Sequence, residues 1–130
     1  MATTVKQMVD RAMSKVETIS VEDAKALVGK DDVTIVDIRD VRELWREGKI
    51  PGAYHAPRGM LEFWVDPESP YAKDVFQSGK RIVFYCAAGW RSALATEAAM
   101  ELGLENTCHI DGGFGDWKKA GFEIEAVEKK

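Results

Sequence analysis

Two cysteines and two histidines in 130 residues leave little with which to build a disulfide framework or a metal site. Cys86 and Cys108 are too few for a stapled secreted scaffold, and with His55 and His109 they make no zinc-type spacing. Positive charge is not in excess. Lys and Arg number 18 against 22 Asp and Glu, a formal net charge of −4, so there is no electrostatic footprint for nucleic acid. No apolar run reaches the length of a membrane span. The opening Met-Ala-Thr-Thr-Val-Lys-Gln has no apolar core of a signal peptide. Internal repeats and low-complexity stretches are absent as well. A reduced, cytoplasmic setting is the simplest expectation from such cysteine usage.

The remainder has the size of one ordinary domain with one core. Its 45% hydrophobic and 31% charged residues are the balance of a soluble globular protein. Val5, Met8, Val9, Ala12, Met13 and Val16 recur at helical spacing and predict an amphipathic helix over 4–16. Residues 1–17 are thus read as a helical arm, expected to pack on its own domain. Thr18-Ile19 is a very short strand. Ser20-Val-Glu-Asp23 resembles a capping box opening a helix to about Val28. Val33–Asp37 is β-branched and strand-like. Asp40-Val-Arg-Glu43 starts a helix that stops at Gly48. A turn at Ile50-Pro-Gly52 leads to a strand around Ala53–His55. Met60, Leu61, Phe63 and Trp64 make an apolar cluster with one or two helical turns, followed by a connecting segment over 66–79. Asn106–Ile110 is a further strand, Asp111–Gly115 a turn, and Asp116–Ala120 a short helix. The main domain is placed at 18–125, and 126–130 is a charged tail expected to fray.

Strands alternating with helical patterns imply an α/β fold with a parallel sheet and right-handed crossovers. Ligands of such sheets collect at the carboxyl ends of the strands. One stretch stands out there. Ile82-Val-Phe-Tyr85 reads as a strand buried on both faces, and helical sequence resumes at about Ser92. Between them lies Cys86-Ala-Ala-Gly-Trp-Arg91. A cysteine between a strand's end and a helix's start meets free N–H groups and the positive end of the helix dipole, which favour the thiolate, the nucleophilic form. Small residues after it let backbone approach a ligand. Asp37 and Arg39 after the second strand, and His55 and Arg58 after the third, belong to the same end of the sheet. Two readings stay open for several of them. Arg91 either faces substrate or braces the loop through a carboxylate. Asp37 and Arg39 either orient the loop or form an internal ion pair involving Glu43. Cys108 reads as a core residue.

Three segments together resemble the rhodanese-like sulfurtransferase family. They are Val36–Arg39 continuing through Glu43 to Gly48–Pro57, the loop Cys86–Arg91, and His109–Trp117, which contains Asp-Gly-Gly-Phe. The resemblance covers Thr18 to Glu125. It implies a five-stranded parallel sheet flanked by helices on both faces, with the extra N-terminal helix lying outside the match. It implies that Cys86 takes a sulfane sulfur from a donor such as thiosulfate or a persulfide. The sulfur then passes to cyanide, a thiol or a protein, with no metal, nucleotide or other cofactor. The main-chain N–H groups of Ala87, Ala88, Gly89, Trp90, Arg91 and Ser92 are the expected stabilisers of the sulfur anion. Basic side chains often follow the cysteine in members that use thiosulfate well. Here Ala87 and Ala88 stand there, which implies a poor thiosulfate enzyme with an apolar mouth formed by Trp90 and Trp64, with Arg58 supplying charge.

Two other readings remain. Cysteine-dependent phosphatases and arsenate reductases use a wider loop, with one more residue between cysteine and arginine than the four present here. A non-catalytic module binding partners through the same cleft is the second. Oligomeric state is not legible.

Overall fold

Each short β-prone run is followed by helical sequence, so successive strands cannot pair as hairpins and must lie parallel. In the computed structural model, which describes residues 2–129, they do. Met1 of the expected arm and Lys130 of the expected tail lie outside the described residues. In chain order the elements are α1 (Val5–Met13), β1 (Glu17–Ile19), α2 (Val21–Leu27), β2 (Val33–Asp37), α3 (Val41–Glu47), β3 (Tyr54–His55), α4 (Leu61–Val65), β4 (Arg81–Tyr85), α5 (Trp90–Glu101), β5 (Thr107–Ile110) and α6 (Gly113–Lys119). Short 3-10 turns precede α4 at Arg58–Met60 and β4 at Asp74–Gln77. The sheet order is β1-β5-β4-β2-β3, and every neighbouring pair is parallel. This is the parallel α/β fold that the strand–helix alternation implies, with the five strands that the family resemblance implies. β4 occupies the centre, so its carboxyl end faces the middle of the ligand-binding edge.

Alternation along the strands sorts side chains into two layers. Ile35, Val83, Tyr85, Cys108 and Ile110 pack with Val21 and Ala24 of α2 and with Phe114 and Trp117 of α6. Val36, Ile82, Phe84 and Cys86 point the other way, against Leu61 and Val65 of α4 and Ala95 and Ala99 of α5. Alanines on α5 let it lie close to the sheet. On its outer side Ala93 and Leu94 receive Val9 and Ala12 of α1. α1 begins with a full capping box, in which Gln7 N–H donates to Thr4 Oγ1 at 3.1 Å and Thr4 N–H donates to Gln7 Oε1 at 2.8 Å.

Several boundaries differ from the sequence expectation, each for a local reason. Ser20 accepts from Asp23 N–H at 3.1 Å, but no return bond forms, because an aspartate is one methylene shorter than the usual partner. α5 starts at Trp90 rather than Ser92, since Gly89 takes a left-handed φ of 111° and serves as its N-cap. The glycines after Asp111 are not only a turn: Gly112 caps α6, which begins at Gly113. Glu125, the last residue of the expected domain, is pinned. It exchanges backbone hydrogen bonds with Lys49 at 2.8 and 2.9 Å and accepts from Gly52 N–H at 2.8 Å. The connecting segment carries Phe76 into the core, stacked on Phe84. No helix among the described residues is long and apolar enough to cross a membrane.

Candidate active site

The chain leaves β4 at Tyr85 and turns into α5 within four residues. Two N–H groups of that turn point at one atom. Gly89 N–H donates to Cys86 Sγ at 3.1 Å and Ser92 N–H donates to it at 3.3 Å. Ser92 Oγ lies 3.5 Å from the same sulfur. Ser92 is in the first turn of a twelve-residue helix, so the positive end of the α5 dipole adds to both bonds. Of the six residues expected to hold the anion, Gly89 and Ser92 reach the sulfur with their amides. Ala88 and Trp90 instead face solvent, and Trp90 is 53% exposed. Cys86 itself is 1% exposed, roofed by its own loop. The sulfur therefore sits among hydrogen-bond donors and out of contact with bulk water.

The loop is held from beneath by α6. Phe114 N–H donates to the Cys86 carbonyl at 2.8 Å, and Gly115 N–H donates to the Ala87 carbonyl at 3.0 Å. With these carbonyls drawn towards α6, the amides of the turn face the sulfur. The approach leaves no space for a side chain. A Cβ on Gly113, whose φ is 53°, would run into the Cys86 carbonyl oxygen, and one on Gly115 would come within 3.2 Å of that of Ala87. Gly113 and Gly115 thus owe their identity to this contact.

Charged residues brace the loop from the side. Arg91 donates to both carboxylate oxygens of Glu43, at 2.9 and 3.0 Å. Glu43 also accepts from Asp40 N–H at 3.0 Å, so one side chain caps α3 and holds the first turn of α5. The hydrogen bonds from Arg91 hold the Glu43 carboxyl below its ordinary range, although burial works the other way. Arg91 therefore braces through a carboxylate. Asp37 and Arg39 pair with one another, both fully buried, at 2.7 to 3.1 Å. Arg39 further donates to the Gly48 carbonyl at 2.7 Å, and its guanidinium carbon lies 4.2 Å from the centre of the Phe114 ring. Among the described residues Nη1 of Arg39 has no hydrogen-bond partner; the face of that ring is its compensation. The pair thus locks the end of β2 to the helix that carries the Cys86 loop. His55 Nε2 lies 2.7 Å from the Arg39 carbonyl and fixes the same corner.

Two further residues singled out in the sequence have other partners. Arg58 gives its guanidinium to Glu62 at 2.8 Å, so its charge is already matched. Trp64 packs edge-on to Tyr54 and beneath Lys73, within its own cluster. What borders the loop instead is α1. Val9, Asp10 and Met13 face Ala88, Gly89 and Trp90 across a depression of about 250 Å³, with His109 and Asp111 at its base. Sequence reading missed Glu43 as the partner of Arg91, the role of α6, and His109. The pairing period of β5 was the available signal for the last, since it puts Thr107 and His109 opposite to Cys108 and Ile110.

A central parallel strand followed by a cysteine whose sulfur accepts from two turn amides defines a class: α/β domains with a cysteine loop at the sheet's carboxyl edge. Within it, the family model for the rhodanese-like domain matches residues 20–120, and the chain belongs to that family. α1 and β1 precede the matched residues. A yeast (Saccharomyces cerevisiae) thiosulfate:glutathione sulfurtransferase is 34% identical over 116 residues, covering 84% of this chain and 83% of its own. A mouse thiosulfate sulfurtransferase/rhodanese-like domain-containing protein 3 is 30% identical over 104 residues, covering 76% of this chain; the match spans 66% of the mouse protein's length. A solved structure from Rhodopseudomonas palustris, of a protein of unknown function described as a possible tyrosine phosphatase, is 55% identical with a TM-score of 0.92 and covers 96% of each chain.

Proposed function

We propose that this chain is a sulfurtransferase that carries a sulfane sulfur on Cys86. The carrying observation is the pair of amides, Gly89 and Ser92, aimed at Sγ from a helix start. The names of the yeast and mouse relatives support the reaction class. In the first step the Cys86 thiolate attacks the outer sulfur of the donor. A sulfur–sulfur bond forms, the donor's own bond breaks, and the leaving group departs with the electron pair as sulfite or a thiolate. In the second step an acceptor nucleophile attacks the outer sulfur of Cys86–S–S⁻ and releases the Cys86 thiolate. Covalent catalysis of this kind divides one transfer into two easier ones. Negative charge rests in the loop in both resting states, and fixed amides stabilise it without reorganising.

The donor best suited to this mouth is a persulfidated thiol of low charge. Arg91 is matched by Glu43, Arg58 by Glu62, and Ala87 and Ala88 add no cation, so little unbalanced positive charge awaits dianionic thiosulfate. The acceptor is a thiol or a protein in a reducing, cytoplasmic setting. A phosphatase reading is raised by the Rhodopseudomonas palustris relative. Against it stand the four-residue spacing and the engagement of Arg91 by Glu43, which leave no arginine fork for a phosphate.

The test is a panel of thiosulfate, the net-neutral cysteamine persulfide and p-nitrophenyl phosphate, run with cyanide or glutathione as sulfur acceptor. The proposal expects thiocyanate or acceptor persulfide from the wild type, faster with the persulfide donor, and none from Cys86→Ser. Hydrolysis of p-nitrophenyl phosphate that disappears in Cys86→Ser, without sulfur transfer, would overturn it in favour of the phosphatase.

A further inference from the structure

Behind the nucleophile a chain of polar side chains crosses the sheet to the surface. Ser92 Oγ, 3.5 Å from Cys86 Sγ, lies 2.9 Å from His109 Nδ1. His109 Nε2 lies 3.0 Å from Thr18 Oγ1 on the edge strand β1. Ser92 and His109 are buried, whereas Thr18 is exposed. The arrangement follows from register. Thr18 sits beside His109 and His109 beside Phe84 across three parallel strands, and alternation sends these side chains to the α5 side of the sheet, where Cys86 also points. Burying an imidazole between two hydroxyls has no packing rationale that an aliphatic residue would not meet better.

We propose that neutral His109 is a positioning residue for the nucleophile, carrying the thiol proton of Cys86 through Ser92 to Thr18 and solvent and thereafter fixing the Ser92 hydroxyl on the sulfur anion. The inference rests on the reading of Cys86 as the sulfur carrier. The steps balance. The S–H proton passes to Ser92 Oγ as the serine proton passes to Nδ1. The proton on Nε2 passes to Thr18 Oγ1, whose own proton goes to water. The ring ends with its hydrogen on Nδ1 instead of Nε2, donating to Ser92, and Ser92 donates to the thiolate. No net charge is left on the ring, and one proton has left the buried sulfur. The Gly89 carbonyl, 3.3 Å from Ser92 Oγ, is a second acceptor for the serine proton before ionisation.

The surroundings suit a neutral relay. Burial holds the imidazole below the ordinary histidine range, while the Asp111 carboxylate works in the opposite direction. Asp10 of α1 borders the same depression, Phe84 on β4 is apolar, and α5 contributes only Ser92 to the ring. A ring that stays neutral both donates and accepts, which a proton relay requires.

Two readouts on the full chain test this. Ring-nitrogen NMR of histidine-labelled protein follows the His109 tautomer across pH, and iodoacetamide alkylation with peptide mass mapping follows Cys86 over the same range. The ring is expected to move from the Nε2–H to the Nδ1–H form over the interval in which Cys86 becomes reactive, and to stay unchanged in Cys86→Ser. In folded His109→Gln and Ser92→Ala the alkylation profile is expected about one pH unit higher, alkylation at neutral pH being about tenfold slower. Thr18→Val, outside the loop, is expected to shift it less and in the same direction. A ring that keeps one tautomer throughout, or a profile in folded His109→Gln that superposes on the wild type, would overturn the relay. Should His109→Gln unfold, the tautomer readout on the unmodified chain decides alone. A wild-type Cys86 that accepts sulfur from no donor would overturn the sulfurtransferase reading instead, whatever the ring does.

Discussion

Cys86 directly follows β4 and Cys108 lies within the neighbouring strand β5, and burial does not tell them apart, at 1% and 0% exposed. What differs is where along the strand each falls. Cys108 is inside β5, where the ladder consumes the backbone amides, and its sulfur meets apolar side chains and one guanidinium nitrogen of Arg81 at 3.4 Å. Burial pushes that thiol above its ordinary range, with Arg81 working the other way. Cys86 comes one residue after β4 ends, where amides no longer belong to a ladder and a helix is about to begin. On the proposed function, donors rather than exposure separate the two cysteines.

The sharpest way to break this comparison is to exchange each sulfur for oxygen. Cys86→Ser is expected to lose sulfur transfer entirely while staying folded, and Cys108→Ser to retain it, as read by product formation and circular dichroism. The next effect concerns the seating of the loop. Gly113→Ala pushes a methyl group into the Cys86 carbonyl and strains a positive φ. A displacement of about 1 Å costs on the order of a hundredfold in rate. Turnover of the folded variant should fall by about that factor, and the unfolding midpoint should fall as well, because the clash with backbone and the positive φ both destabilise. A Gly113→Ala enzyme of wild-type rate would show that α6 does not aim the amides.

Arg39 and Arg81 extend the comparison to the residues behind each cysteine. Arg39→Met leaves Asp37 buried and unpaired, a loss of about 3–5 kcal/mol. Arg81→Met removes a partly exposed pair with Glu17, worth at most about 1 kcal/mol. Urea unfolding of both variants checks the contrast, and equal losses would contradict it. Glu43→Gln should cost about 1 kcal/mol, because Arg91 is half-exposed and solvent screens the pair. It frees the Arg91 charge, so the rate with thiosulfate should rise relative to a neutral persulfide. An unchanged ratio would remove charge matching as the reason for donor choice.

The smallest effect is a pH slope. His109 is held below its unfolded value of 6.5, so the unfolded chain binds the proton more readily. The contribution is complete above pH 6.5 and is lost as pH falls through the lower, folded value. Unfolding free energy of the wild type should therefore decline on acidification from about pH 6.5, and less so in His109→Gln. Equal slopes would contradict the burial of a neutral ring.

The strands and the loop were legible because their signals are contiguous. Val33–Asp37 and Ile82–Tyr85 announce themselves by composition, and Cys86 to Arg91 lies between a strand pattern and a helix pattern. The braces were not legible, because each joins segments far apart in the chain. Glu43 meets Arg91 across 48 residues, and Ser92 meets His109 across 17. Asp37, Arg39 and Glu43 were all marked, yet Arg39 pairs with Asp37 alone of the two carboxylates, while Glu43 leaves the first turn of α3 towards Arg91. Gly112 and Gly113 looked like a turn because glycine usually signals one. Here positive φ values start a helix that must pass under a carbonyl. Thr4-Val-Lys-Gln7 carried its cap in plain sight, as a capping-box pattern.

The most direct measurement is peptide mass mapping after incubation with a sulfur donor and removal of the excess. The account predicts one added sulfur atom on the peptide containing Cys86, removable by an acceptor thiol, and none on the peptide containing Cys108. Sulfur on Cys108, or on neither peptide with any donor, would contradict it.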